Sequence, residues 1–394
     1  MDPPRSRKKA NDAKLLKIPT SYHGYSGLTP VSLVRYRLKD GSRRVAIFQI
    51  MHRSEASSEL FKLVVDLVNI PSITGEEGAC SDFLAGYLAD RQWEVERIPV
   101  TAGRVNVLAR RGRPDVVLST HLDTVPPFIP AREDAEFIYG RGSCDAKGIA
   151  AAQVMAAQKL VNAGATDLGL LFVVGEETVS DGACAANLNP RGSAYLINGE
   201  PTDNKLAIGT KGVLRVDIHV QGRMAHSAYP HLGESAVEKL LDLLADVRKL
   251  PLPVDDLLGP CTLNIGMISG GCAANVIPGE ASAILLFRTV PRPKSCPDLR
   301  AEVEKLLAGR CEFEVIRDTP AVRMQKLDGF ETAVVAYSTD VPSLSAWGRP
   351  FLMGPGSIHE AHTDHESVRK QELLEAVELY SRLVRFLKEQ GQKR

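Results

Sequence analysis

Three short apolar runs constrain the fold of this chain most strongly, because each leads directly into acidic or imidazole side chains. The runs are residues 116–120, which precede His121-Leu122-Asp123, residues 168–174, which precede Gly175-Glu176-Glu177, and residues 194–197, which precede Asn198-Gly199-Glu200. Such continuous apolar runs, alternating with helix-like segments, are typical of strands buried on both faces. The pattern predicts an α/β fold with a mostly parallel central sheet and helices on both faces. Because the carboxyl ends of parallel strands meet at one edge, the acids and the imidazole should gather there, where open sheets bind ligands.

The pattern changes after Gly212, where a second kind of domain is predicted. Residues 213–221 alternate apolar and polar side chains, as a half-exposed strand does, and a helix is predicted at about 234–249. Two strands, a helix and a last strand come next, which gives the order β-α-β-β-α-β of a small α+β domain. We therefore divide the chain into an N-terminal extension (1–54), a first part of the main domain (55–207), an inserted domain (208–318) and a second part of the main domain (319–394).

The N-terminal extension is basic. Residues 1–50 contain eleven Lys and Arg against three Asp, a net charge of +8, which leaves 37 basic residues (48 less 11) and 45 acidic residues (48 less 3) for the rest. Its Pro-, Lys- and Arg-rich start predicts poor order. A transit peptide, a nucleic-acid arm and a solvated tail are alternative interpretations. We favour the hypothesis that Met51 is the natural start, which N-terminal sequencing of the protein from its source would test.

Composition argues against several other classes of protein. Lys and Arg balance Asp and Glu at 48 each, so no nucleic-acid or membrane partner is predicted. The seven cysteines are scattered, without a Cys-x-x-Cys pair, which is typical of reduced cytosolic thiols. No apolar run approaches the roughly 20 residues that span a bilayer. No Gly-x-Ser-x-Gly turn of a serine hydrolase occurs either. We expect a soluble, cytoplasmic protein.

The acids and imidazoles at the predicted strand ends and loops form a candidate metal site. The set consists of His121, Asp123, Asp145, Glu176, Glu177, Glu200 and His362. So many carboxylates in one place would repel one another and raise their own pKa values unless cations compensated. A mixed His and carboxylate set suits zinc, with cobalt and manganese as alternatives. Taken singly, each of these residues could also be an ordinary residue with no metal, since paired acids and surface histidines are common. The hypothesis therefore depends on the full set.

The motifs around these residues occur in a definite order. They are Thr-His-Leu-Asp-Thr-Val at 120–125, Cys-Asp-Ala-Lys-Gly at 144–148, Gly-Glu-Glu at 175–177, Gly-Glu-Pro-Thr at 199–202 and Ala-His-Thr-x-x-Glu at 361–366. Over roughly residues 60–387, the sequence resembles the dinuclear zinc aminoacylase and carboxypeptidase family of metallopeptidases. The resemblance implies a zinc exopeptidase-like fold, in which the main domain is catalytic and the inserted domain serves as a dimerisation and lid domain.

The resemblance also implies which residues hold two zinc ions. His121 and Glu200 would bind one ion, and Glu177 and His362 would bind the other. Asp145 would bridge the two ions.

Further roles follow from the same resemblance. Asp123 would orient the first imidazole, and Glu176 would be the general base for a water activated between the ions. His226 would stabilise the developing oxyanion in the site of a partner subunit, so a homodimer through the inserted domain is expected. Asn275 and Arg288 would bind the substrate, Arg288 through a carboxylate. A structural salt bridge is the alternative for Arg288.

The resemblance implies a zinc-dependent amide hydrolase that acts on N-acyl amino acids or short peptides. Gly-Pro-Gly-Ser-Ile at 354–358 and the Ala-His-Thr-x-x-Glu motif favour acetylornithine deacetylase, and hence amino-acid biosynthesis. Succinyl-diaminopimelate desuccinylase is the close alternative, and a dipeptidase or glutamate carboxypeptidase comes next. A non-catalytic, metal-binding relative is the alternative of a different class. The presence of Glu176 argues against it, because a protein that merely binds metal needs no base.

Overall fold

The computed structural model describes residues 32–37, 43–48, 55–292 and 298–391. In the N-terminal extension the described residues form an antiparallel pair of strands, β1 (Ser32–Arg37) and β2 (Arg43–Phe48). This pair belongs to a separate unit from residues 55–394 and is described by itself. The prediction of poor order concerns mainly residues outside the described ranges, and so does the hypothesis that Met51 is the natural start.

The main unit is built from helices and strands in alternation. Its described helices are α1 (Glu55–Val68), α2 (Gly78–Asp90), α3 (Lys147–Asn162), α4 (Asp181–Asn187), α5 (Ala236–Val247), α6 (Leu299–Leu307) and α7 (Lys370–Gly391). None of the helices in these residues combines the length and apolarity that a membrane crossing requires.

The strands fall into three groups along the chain. Before the inserted domain they are β3 (Glu94–Thr101), β4 (Arg104–Arg111), β5 (Val116–His121), β6 (Arg132–Glu133), β7 (Phe137–Tyr139), β8 (Leu168–Val173), β9 (Tyr195–Asn198) and β10 (Leu206–Thr210). Next come β11 (Gly212–Gln221), β12 (Ala225–His226), β13 (Val254–Asp255), β14 (Gly259–Pro260), β15 (Thr262–Gly270), β16 (Val276–Ile277), β17 (Glu280–Thr289) and β18 (Glu312–Thr319). The last are β19 (Val322–Arg323), β20 (Thr332–Val335), β21 (Arg349–Leu352) and β22 (Ser367–Arg369).

The central sheet has nine strands and is parallel in its middle. β21, β9, β5 and β8 lie side by side and parallel, while β4 and β3 continue the sheet antiparallel beyond β8. β10 joins β21 antiparallel on the other side and also pairs with β19 and β20. The sheet is thus mixed, but β5, β8 and β9 run in one direction. Their carboxyl ends therefore share one edge.

Both faces of this sheet are covered by other elements. Successive residues of a strand point to opposite faces, so the partners of neighbouring residues show what covers each face. Every residue of β5 and β8 is buried. Val116 and Leu118 belong to the apolar cluster with α1, α2, α3 and α7, whereas Val117 packs with Trp347 and the alanines of α4 on the other face. The predicted α/β fold with helices on both faces is confirmed.

The inserted domain is a four-stranded antiparallel sheet in the order β15-β17-β11-β18. α5 and α6 cover one face, on which Leu214 and Val216 of β11 pack against Leu240 and Val303. Ser235 begins α5 by accepting a hydrogen bond from the main-chain N–H of Glu238 at 3.2 Å. Val213 and Arg215 of β11 point the other way and line a cavity with the acids that follow the main domain's strands. The predicted order β-α-β-β-α-β is confirmed.

Candidate metal centre

The strand ends of the main domain deliver the candidate site residues. β5 ends at His121, β9 is followed by Glu200, and a tight turn after β8 presents Glu176 and Glu177. That turn needs glycine, because Gly175 has φ +79° and a Cβ there would lie 1.9 Å from Asp181 Oδ1. The turn therefore brings two adjacent acids to the edge of the sheet at once.

Two groups of ligand-type atoms meet at this edge, and they share Asp145. His121, Asp145 and Glu200 form one group, and Asp145, Glu177 and His362 form the other, with the ligand atoms of each group within 4.8 Å of one another. One oxygen of Asp145 lies 3.0 Å from His121 Nε2, and the other lies 3.4 Å from His362 Nε2. Glu177 Oε1 lies 3.0 Å from the same His362 nitrogen. Asp145 thus faces both imidazoles, one with each oxygen.

His362 differs from the other four residues of these groups in exposure and backbone. Its side chain is 48% accessible, whereas those of His121 and Asp145 are buried. Its φ is +63°, in the left-handed region that few non-glycine residues adopt. The structure brings His362 to the acids, while His365 pairs with Asp364 on the surface. This placement agrees with the choice of His362 among the neighbouring histidines.

Asp123 supports the site mainly through its carboxylate's hydrogen bonds to the backbone. Its two oxygens accept the main-chain N–H groups of Glu176 and Glu177, each at 3.1 Å. His121 Nδ1 lies 3.0 Å from the main-chain oxygen of Asp123 and 3.5 Å from its carboxylate. The predicted orientation of His121 thus depends on both parts of Asp123, and the same residue anchors the turn that carries the two glutamates.

Glu366 holds the loop that presents Asp145. One of its oxygens accepts the main-chain N–H groups of Gly142, Cys144 and Asp145 at 2.9, 3.1 and 3.0 Å. Its other oxygen accepts Arg141 Nη1 at 2.7 Å, and both side chains are buried. A buried carboxylate with this many donors is a rigid support, and it fixes the direction of Asp145.

The electrostatics of the site show an excess of negative charge. Burial, with the Asp340 carboxyl nearby, raises the pKa of Glu176 to about 8. Burial and the neighbouring Glu176 raise the pKa of Glu200 well above its usual range. Burial also raises the pKa of Glu177, against the effect of its hydrogen bond with His362. Although burial opposes it, the pKa of Asp145 falls below its usual range, because two imidazoles bond to it. The three glutamates therefore lack enough positive charge around them.

The residues fit a pair of divalent ions. Glu200 Oε1 is buried and has no hydrogen-bond partner among the described residues. A buried carboxylate oxygen without a donor is costly unless a cation or proton neutralises it. Carboxylate oxygens and imidazole nitrogens in two groups with one shared acid are the donors that zinc, cobalt and manganese accept. The donor set and the orphaned oxygen therefore match a dinuclear centre, without distinguishing among these metals.

A cavity of about 260 Å³ opens beside the two groups. Its described lining includes Asp145, Glu177, Glu200 and His362, together with arginines from the inserted domain. The described lining does not include His226 or Asn275, which are both exposed: His226 lies in the separate two-stranded ribbon of β12 and β16, and Asn275 directly precedes β16. The structure thus brings Arg288 to the site but leaves those two predicted residues away from it in the same chain.

Three residues of this region were missed by sequence reasoning. Asp340 is 1% exposed, and neither of its carboxylate oxygens has a hydrogen bond within the described chain. Tyr337 lines the cavity and donates its hydroxyl to Pro201 O at 2.6 Å. Arg317 reaches the Glu176 turn from β18. Asp340 follows a strand, like the acids that were found, but β20 has only four residues and ends at Val335, so Asp340 does not directly follow an apolar run. An arginine on a half-exposed strand carries no signal of its own.

The chain is similar to known proteins in both sequence and fold. A profile described as a peptidase dimerisation domain matches residues 208–314. The chain is 40% identical over 351 residues to a peptidase M20 domain-containing protein of Schizosaccharomyces pombe, covering 86% of this chain and 87% of that protein. It is 38% identical over 388 residues to a probable carboxypeptidase of Aspergillus fumigatus, covering 83% and 86%. Among solved structures, it is similar to an M20 family metallo-carboxypeptidase from Sulfolobus solfataricus, with a TM-score of 0.68, 17% identity and coverage of 82% and 98%.

Proposed function

The chain belongs to the M20 peptidase family of metal-dependent amide hydrolases, and from this premise we propose that it is a carboxypeptidase that releases the last residue of short peptides. One observation carries the proposal. Arg288 is half-buried in the wall of the cavity, and its guanidinium has no hydrogen bond or ion pair with any described residue. A guanidinium placed in this way is suited to a bidentate bond with a free carboxylate. The relatives named as probable carboxypeptidases point in the same direction.

We assign the two ligand groups to two zinc ions, with cobalt and manganese as alternatives. His121 and Glu200 would hold one ion, Glu177 and His362 the other, and Asp145 would lie between them. When bound, such ions polarise the scissile carbonyl and lower the pKa of water at the site.

In this proposal Glu176 is the general base. It lies in the cavity lining but in neither ligand group, so its carboxylate is free to take a proton from the attacking water. Burial and the nearby Asp340 raise the pKa of Glu176, which favours proton uptake by this carboxylate, while bound ions would lower the pKa. Asp123 keeps this carboxylate in place by holding the main chain of the turn. The proton would go to the leaving amine when the amide bond breaks.

A deacylase is the second candidate function. An N-acyl amino acid presents the same amide nitrogen, α-carbon and carboxylate as the last residue of a peptide, so Arg288 would bind both. The cavity volume of about 260 Å³ favours a small acyl group over a long peptide. N-acetylornithine and N-succinyl-diaminopimelate therefore remain substrates to test, although the relatives do not single them out.

We further propose that the protein is a homodimer through the inserted domain and that His226 acts in the partner's site. β15 is an edge strand, and its side chains Met267 and Ile268 are 63% and 57% exposed. An exposed apolar edge of this kind favours pairing with a second chain. His226 Nδ1 accepts the main-chain N–H of Ala228 at 3.1 Å, which leaves Nε2 to carry the hydrogen of the neutral ring. That N–H would donate to the developing oxyanion.

A panel of matched substrates tests the carboxypeptidase proposal. The protein would be loaded with zinc, cobalt or manganese and given each short peptide with a free and with an amidated carboxyl terminus. N-acetyl amino acids, N-acetylornithine and N-succinyl-diaminopimelate complete the panel. We expect release of the last residue from free peptides and a large loss with the amides. Equal rates on both forms would contradict the role of Arg288, and cleavage of the N-acyl amino acids alone would establish the deacylase instead.

An Arg288→Lys variant sharpens this test. Because lysine keeps the charge but loses the two-pronged bond, KM for free peptides should rise by about tenfold or more while kcat changes little. The amidated peptides act as the control, since they lack the carboxylate and should be cleaved equally by both proteins. An unchanged KM for free peptides would assign the carboxylate to another group.

A further inference from the structure

Arg317 links the inserted domain to the turn that carries Glu176. It lies on β18, and 16% of its side chain is accessible. Its Nη1 donates to the main-chain oxygens of Glu176 and Thr178 at 3.3 and 3.0 Å, and its Nη2 donates to Ser180 Oγ at 3.1 Å. The same Nη2 lies 3.7 Å from Glu176 Oε1. One guanidinium therefore contacts both the backbone and the side chain of the proposed base.

Asp123 holds the main-chain N–H groups of this turn, and Arg317 holds its main-chain oxygens. No main-chain N–H in the described part of the chain donates to the oxygen of Glu176 or of Thr178. The turn is bounded by two residues with positive φ, Gly175 at +79° and Ser180 at +56°. A non-glycine residue held in the left-handed region costs free energy and persists where surrounding contacts impose it. The bonds from Arg317 are contacts of that kind, since one of them ends on Ser180 itself.

Neighbouring arginines on the same sheet face have different partners, which separates their roles. Arg215 is the cross-strand neighbour of Arg317, and like charges in such positions repel. Asp217 satisfies Arg215 through two hydrogen bonds of 2.9 and 2.8 Å. Arg288 has no partner in the described chain and is left for the substrate in the proposed function. Arg317 alone of these three bonds to the main domain's turn.

We propose that Arg317 is a positioning residue for Glu176, so that the base reaches its working position only while the inserted domain is docked on the turn. The inference rests on the proposed function, in which Glu176 is the general base. Arg317 contacts neither ligand group, and Glu177 in the same turn has supports of its own, Asp123 at its main-chain N–H and His362 at its carboxylate. We therefore expect Arg317 to act on the direction of the Glu176 carboxylate more than on metal binding. It differs in this from Arg288, whose role is to hold the substrate.

The first test compares Arg317→Lys and Arg317→Ala with Arg300→Lys. Arg300 also lies in the inserted domain, but its partners Glu304 and Asp318 belong to that domain and its side chain is 45% exposed. A misplaced catalytic group costs up to about 100-fold, so both Arg317 variants should lose about 10- to 100-fold in kcat. KM should stay within about threefold, the reverse of the expectation for Arg288→Lys. Metal content should not change, and free guanidinium should restore part of the activity of Arg317→Ala.

The second test measures amide hydrogen exchange of residues 176–180 and does not need activity. In Arg317→Ala these amides should exchange faster, while those of α3 and of the inserted sheet keep their rates, which also shows that the variant folds. An unchanged kcat or unchanged exchange in the turn would overturn the inference, and a rise in KM alone would make Arg317 a substrate contact. If the unaltered protein hydrolyses nothing in the panel, the proposed function fails, and exchange in the turn still decides whether Arg317 holds it.

Discussion

At the scale of single residues, the site depends on carboxylates whose neighbours give them different tasks. Glu366 is saturated with donors and acts as a support, whereas Glu200 has a buried oxygen with no donor in the described chain. Asp145 lies between two imidazoles, and Glu176 faces the cavity next to other acids. The same side-chain type thus serves as support, candidate ligand or candidate base according to its partners.

The adjacent glutamates offer a matched pair for testing these tasks. We expect Glu176→Gln to lose about 100- to 10,000-fold in kcat, because the amide cannot take up the proton. Its metal content should equal that of the unaltered protein, since Glu176 belongs to neither ligand group. Steady-state kinetics and metal analysis by mass spectrometry would measure both.

Glu177→Gln is the control for this prediction. It belongs to a ligand group, so it should lose metal as well as activity. If Glu176→Gln kept its activity, another group would be the base. If the two variants lost metal equally, the assignment of the two neighbours would be wrong.

At the scale of elements, the turn after β8 shows how a strand end becomes a site. The turn requires a positive φ at Gly175 and leaves no space for a Cβ, because Asp181 and Arg104 fill it. Arg104 is itself held by Glu77 and by Asp181. These ion pairs therefore fill the space beside Gly175 and restrict the path of the turn that carries Glu176 and Glu177.

Two glycine substitutions separate the effect of backbone angle from the effect of space. Gly164 has φ +89°, and nothing lies within 4 Å of a Cβ added there. Gly164→Ala should therefore lower the free energy of unfolding by only about 1 kcal/mol and leave activity unchanged. Gly175→Ala has a similar φ of +79° but places the Cβ 1.9 Å from Asp181 Oδ1. It should cost about 2 kcal/mol or more, and lower kcat as the turn shifts. Urea unfolding and kinetics of both variants would check this. Equal effects would mean that the turn tolerates the added atom.

At the scale of the whole molecule, metal binding should contribute to stability. The buried acids Glu176, Glu177 and Glu200 have raised pKa values, which indicates that their charge is not compensated by the chain alone. Ions that bind only the folded state add about 2.7 kcal/mol when present at 100 times their Kd.

Removal of metal by a chelator should therefore lower the Tm, and added zinc, cobalt or manganese should restore it. Differential scanning calorimetry would measure the shift. Glu200→Gln is the control, because the variant lacks one ligand and its Tm should respond less to added metal. A Tm that is the same with and without chelator would argue against ions in this cluster.

The exposed position of His226 leads to a prediction about subunits. Glu176→Gln and His226→Ala should each be nearly inactive. After the two are mixed and allowed to exchange subunits, half of the dimers should pair one of each and contain one intact site. Activity should then recover to about a quarter of the unaltered protein's. Sedimentation should show the dimer. If the mixture stayed inactive although subunits exchanged, His226 would act within its own chain or not at all.

Most of the fold could be predicted because it depends on local patterns. Fully apolar runs indicated the buried strands β5, β8 and β9, and their alternation with helices indicated the α/β class. The half-exposed alternation of β11 marked the change to the inserted domain. The antiparallel pairing of β4 with β8 and of β10 with β21 was not predicted, because the sequence of a strand does not record which neighbour it pairs with or in which direction.

The sequence by itself determined which residues meet, because strands that run in parallel must bring their carboxyl ends to one edge. The gathering of His121, Glu177 and Glu200 follows from that rule, whereas Asp145 and His362 lie in loops and were assigned from the resemblance in motif order. Tertiary structure alone decided what each neighbour does. Within the described chain, the guanidinium of Arg288 is free, while those of Arg215 and Arg317 are bonded. Asp340 lies buried near Glu176. Both facts depend on side chains that are far apart in the chain. Hydrogen bonds and burial act over a few ångströms in space, and no local pattern in the sequence records those distances.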